Sequence, residues 1–73
     1  MTDTLEFEIA LKRAGLTKTE TAKALGISLE SLARKASNVN EFKASELAKL
    51  YELLKLDDFE KQKRIFFATA VDL

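Results

Sequence analysis

Five short-range signals within residues 3–28 cut the start of this chain into pieces of no more than about three helical turns. Asp3 followed by Glu6 has the spacing of a capping box, in which two side chains satisfy orphan backbone N–H groups reciprocally. Thr17 followed by Glu20 repeats it. Gly15 and Gly26 are the only glycines and proline is absent, so the backbone is punctuated at just these two places. Each glycine stands where a helix ends in a left-handed residue, a conformation that costs little only without a Cβ. Ser28 then caps a third helix reaching about Ala36, and Glu30 falls in its first turn, where the helix dipole favours an acid. Leu5, Phe7, Ile9 and Leu11 alternate as a strand would, but Leu5 with Ile9 and Phe7 with Leu11 also pair at helical spacing. The flanking caps decide for a helix ending after Ala14.

The rest of the chain continues the pattern. Thr21, Ala22 and Leu25 form the inward face of the second helix, Lys18 to Leu25. After a polar loop from Asn38 to Glu41, Leu47, Leu50, Tyr51 and Leu54 recur at three and four, which predicts a helix over 44–54. Asp57 with Glu60 marks another capping box, opening a short final helix to Phe66. Phe66 and Phe67 are expected to close the core against the first helix. Residues 67–73 form an apolar tail. The expectation is an all-α fold of five helices, with 1–73 a single domain and no internal repeat.

Composition narrows the function. A chain of 73 residues buries only about 60% of the surface its unfolded form exposes, so its core is thin. With neither Cys nor His, it has no disulfide and no zinc site of the usual ligands. Asp57, Asp58 and Glu60 suggest a cation site at first, but their spacing fits capping and lacks the glycine of a calcium loop. No metal and no cofactor is expected. An enzyme is not expected either: there is no glycine-rich phosphate loop, Glu6 and Glu8 point to different helix faces, and so small a core leaves no room for a substrate pocket of about 300 Å³. No apolar run approaches the roughly 18 residues of a membrane span, and the acidic start is unlike a signal peptide. Neither a membrane nor a small-molecule substrate is expected as a partner.

Charge is distributed unevenly although it sums to zero. Residues 1–9 carry three acids and no base, residues 10–40 carry six bases and two acids, and residues 41–73 carry six bases and seven acids. A basic middle between acidic ends presents a modest positive face.

That basic middle contains TKTETAKALGISLESLARK, which has the layout of a helix-turn-helix. Ala22 is small where the second helix approaches the first, Gly26 supplies the positive φ of the turn, and Leu25, Ile27 and Leu32 fill the wedge. On these residues, with ALGIS at 24–28, EFKASELAKL at 41–50 and the terminal IFFATAVDL, the chain resembles the small phage Cro-like, lambda-repressor-like helix-turn-helix family (XRE-type). That family includes phage modulators of repression, or antirepressors. The resemblance implies a five-helix lambda-repressor-like domain with the helix-turn-helix at helices 2 and 3. It also implies a phage-type regulator of the choice between lysis and lysogeny, acting in the cytoplasm of a bacterial host. Ala36 stands where related sequences carry a branched apolar residue, which predicts a loosely held end to the third helix.

By position in the motif, Leu29, Glu30 and Arg34 match the base-facing sites, and Lys18 matches a site that commonly touches phosphate. Arg34 has the geometry to pair with guanine, Glu30 to accept from cytosine, and Leu29 to meet a thymine methyl. Lys18, Lys23, Ser31, Lys35 and Lys43 are the candidate phosphate contacts. Two partner readings follow. The first is operator DNA bound by a symmetric dimer, to which the apolar tail contributes; four phosphate contacts per subunit predict a slope of log affinity on log salt of about −3.6. The second is the phage repressor protein, because Leu29 beside Glu30 suits the basic DNA-reading face of another protein better than it suits phosphate.

Overall fold

Each of the three early caps forms where the local pattern requires. A computed structural model describes residues 1–68, in which five α-helices and no strand are found. α1 (Thr4–Ala14) starts at Asp3, whose carboxylate accepts from the Glu6 N–H at 3.1 Å, and ends at Gly15 with φ 72°. α2 (Lys18–Leu25) starts in a complete Thr17/Glu20 capping box and ends at Gly26, also at φ 72°. A Cβ added at either glycine would meet nothing within 4 Å, so the positive φ alone, and not crowding, makes glycine the favoured residue there. α3 (Leu29–Ala36) follows after Ile27 and the Ser28 cap, whose hydroxyl accepts from the Ser31 N–H at 3.0 Å.

Two boundaries differ from the sequence expectation. α4 (Ala44–Leu53) stops one residue early: Leu54 is its C-cap, and Lys55 takes the left-handed conformation at φ 56°. α5 (Phe59–Phe66) is capped by Asp58, which accepts from the Lys61 N–H at 2.8 Å, and not by Asp57. Asp57 lies outside the cap and pairs with the Lys61 ammonium at 3.0 Å. That hydrogen bond and charge hold its carboxyl below the ordinary value.

The core joins all five helices. Phe7 from α1, Leu32 from α3 and Leu50 from α4 are almost wholly buried, with Ala22 and Leu25 from α2 and Ile65 and Phe66 from α5 beside them. Phe7, Phe42 and Phe66 meet with ring centroids 5.7 to 6.0 Å apart, the distances at which tilted aromatic pairs attract. Phe66 therefore closes the core against α1 as expected. Phe67 does not: it is exposed and stacks on Phe59, with centroids 6.4 Å apart. Of the expected apolar tail, residues 69–73 lie outside the described residues.

The first residues thread between the ends of α3 and α5. The Thr2 N–H donates to Asn38 Oδ1 and Asn38 Nδ2 donates to the Thr2 carbonyl, both at 2.8 Å, so the Asn38 amide serves as one rung of a ladder. Asp3 N–H reaches the Ile65 carbonyl at 2.7 Å. The Thr4 hydroxyl donates to the Ala36 carbonyl at 2.7 Å, and Ala36 is buried. The end of α3 is thus tied down by α1's own first residue, contrary to the looseness its small side chain predicted. Among the described residues no helix is long and apolar enough to cross a membrane.

Candidate macromolecular interface

The outer face of α3 is set by its two ends and one buried stripe. Leu32, Lys35 and Ala36 turn inward, which leaves Leu29, Glu30, Ala33 and Arg34 facing solvent at the helical period. Leu29 is 48% exposed, so its side chain is free to contact a partner. Arg34 reaches back to Glu30, one turn earlier, at 3.2 Å. The sequence-predicted base-facing residues therefore share one surface, and its single positive group faces a carboxylate on the same helix.

The candidate phosphate contacts fare differently from one another. Lys18 opens α2 but its ammonium lies 3.2 Å from Glu8 of α1. Ser31 is half-buried, with its N–H used by the Ser28 cap. Lys23 and Lys43 are exposed and have no carboxylate within salt-bridge distance among the described residues. Lys35 is corrected outright. Only 8% exposed, its ammonium donates to both Glu46 oxygens at 2.7 Å, bridging α3 to α4. Withdrawing it toward a phosphate would strand a buried carboxylate, at a cost of about 3–5 kcal/mol.

Glu46 is the functional neighbour that the sequence reading passed over. It is 6% exposed and sits in the first turn of α4, where its Oε1 also accepts the Lys43 N–H at 2.8 Å. This is half a capping box, because a lysine side chain has no acceptor to return the bond. Burial alone would raise the Glu46 carboxyl, but the Lys35 hydrogen bond, the Lys43 N–H and the two positive charges outweigh it and leave the group below its ordinary value. A signal for the burial of Lys35, though not for its partner, was present: Lys35 lies three residues after Leu32 and one before Ala36, on the inward stripe of α3.

Of the five cations expected to serve DNA, three are thus held by carboxylates: Lys18 by Glu8, Arg34 by Glu30 and Lys35 by Glu46. The α3 surface is close to electrically neutral, with an apolar residue at its leading edge. No group of three or more metal-ligating side chains gathers among the described residues. Contrary to the expectation that the small core leaves no room for a pocket of about 300 Å³, a cleft of about 460 Å³ opens beside Asn38, Phe42, Leu47 and Phe66. No family model, curated protein or solved structure matches the chain.

Proposed function

We propose that this domain is a phage-type modulator of repression, a lambda-repressor-like helix-turn-helix protein whose α3 surface binds the DNA-reading face of a repressor. The observation that carries the reading is the compensated charge of that surface. A helix that reads DNA needs uncompensated bases around it, because phosphate contacts supply most of the affinity. Here Glu30 offsets Arg34 and Lys35 is locked to Glu46. An exposed leucine beside an acid complements a basic surface dotted with apolar groups, which is what the DNA-reading face of a repressor offers. Binding there occludes the repressor's operator contacts, and so shifts the balance between lysis and lysogeny.

A second reading, direct binding of operator DNA as a dimer, draws support from Lys23 within the motif and Lys43 beyond it, both without carboxylate partners among the described residues. A gel shift separates the two. With phage operator DNA and its cognate repressor, the antirepressor reading predicts no shift by this protein alone. It predicts release or supershift of the repressor–operator complex when both are present. Leu29→Lys should abolish that effect while leaving the fold intact, since Leu29 is outside the core. A discrete shift by this protein alone, lost in Arg34→Ala, would instead establish the DNA reading.

A further inference from the structure

A second concentration of positive charge on this neutral chain lies away from α3, around a cleft between α1 and the turn joining α4 to α5. Arg13, Lys55, Lys61 and Arg64 line it, against the one acid Glu6. Among the described residues, only Lys61 of these cations is held by a carboxylate, that of Asp57. The floor is apolar: Ile9 and Ala10 come from α1, Leu54 and Leu56 flank the turn, and Ile65 comes from α5. Lys55 stands at the rim because its left-handed backbone, at φ 56°, turns the chain sharply out of α4.

We propose that this cleft binds an acidic peptide segment of a partner protein, with one apolar side chain seated on the floor and flanking carboxylates on the basic rim. Charge complementarity selects the class of occupant. The volume, about 270 Å³, lies below the roughly 300–1,000 Å³ of sites that enclose a small-molecule ligand, yet it accommodates a single large side chain. A nucleic-acid backbone would satisfy the rim but has no apolar group to cover the floor. The cleft shares no residue with the α3 surface, so a partner held here leaves Leu29 and Glu30 free. The inference therefore stands apart from the antirepressor reading.

The test is a titration of the nitrogen-15-labelled full chain with the capped pentapeptide Asp-Glu-Leu-Asp-Glu in low salt, followed by amide chemical shifts. Saturable shifts are expected within residues 6–13 and 54–65, with residues 29–34 unmoved. The same peptide with glycine in place of leucine should bind at least about fivefold more weakly, and Arg13→Glu with Arg64→Glu should weaken binding at least about tenfold. Lys55→Glu, at an exposed position that risks the fold less, should weaken it in the same direction, whereas Leu29→Lys should leave it unchanged. Three results would overturn the proposal: no saturation, equal binding of the glycine peptide, or a response of these residues to a short DNA duplex but not to the peptide.

Discussion

At the scale of single residues, two left-handed positions that are not glycine carry opposite meanings. Asn38 has φ 70° and Lys55 has φ 56°. A side chain in this region costs roughly 1 kcal/mol, less for asparagine. Lys55 makes no hydrogen bond or ion pair with its side chain among the described residues, so Lys55→Gly should stabilise the fold by about 0.5–1 kcal/mol. Asn38→Gly removes the amide that pairs with Thr2 on both sides and should destabilise it by about 1–2 kcal/mol despite the easier backbone. Urea unfolding of the two variants, read at the midpoint, checks both signs. Glu46 gives a third expectation. Its carboxyl is depressed in the folded state, so the stability it contributes is present above its ordinary value of 4.5 and is lost as pH falls through the folded value. Glu46→Gln keeps an acceptor for the Lys43 N–H but leaves the Lys35 ammonium without its ion pair. It should cost about 3–5 kcal/mol at neutral pH and flatten the acid limb of the stability profile. A Glu46→Gln protein whose stability still fell as steeply between pH 5 and 3 as the parent's would remove Glu46 as the cause.

At the scale of elements, the helices were legible where a decision is made within three or four residues. The caps at Asp3, Thr17 and Ser28 and the stops at Gly15 and Gly26 each depend on a few neighbouring residues, and all five formed at the expected positions, although the Asp3 box is only half made: the Asp3 N–H goes to the Ile65 carbonyl and not to Glu6. The cap of α5 shows the limit of such reading. Asp57 has Glu60 three positions on to complete a capping box, whereas Asp58 has Lys61, which has no acceptor to return the bond, so the local pattern points to Asp57. The three-dimensional path out of Lys55 assigns the role to Asp58. Asp58→Ala should therefore lower the melting midpoint by about 4–8 °C, the equivalent of about 1 kcal/mol in a domain this size, while Asp57→Ala leaves it unchanged. Thermal unfolding followed by circular dichroism distinguishes them. The candidate interface was legible only in part, for the same physical reason. That Leu29, Glu30 and Arg34 share a face follows from helical period alone. The fate of Lys35 depends on Glu46, 11 residues away on another helix. The clasp between Thr2 and Asn38 spans 36 residues. Neither partner is visible in a window short enough to read by pattern.

At the scale of the whole molecule, a neutral chain divides its charge between two surfaces of different character. The α3 surface pairs its acid with its base and leads with an apolar residue, whereas the cleft at α1 and α5 gathers bases over an apolar floor. The aromatic contact of Phe7, Phe42 and Phe66 joins α1, the segment before α4 and α5, so the helices bearing these surfaces share one core and are held in fixed relation. The compensated state of the α3 surface is what the antirepressor proposal rests on, and it has a direct electrostatic signature. Of the cations among the candidate phosphate contacts only Lys23 and Lys43 are left without a carboxylate among the described residues, so binding of duplex DNA through the α3 surface should be weak, with a slope of log affinity on log salt no steeper than about −1.8 per subunit. Fluorescence anisotropy of a labelled duplex across a salt series measures it. A slope near −3.6 would mean that the carboxylate-held cations engage phosphate after all, and would contradict the account.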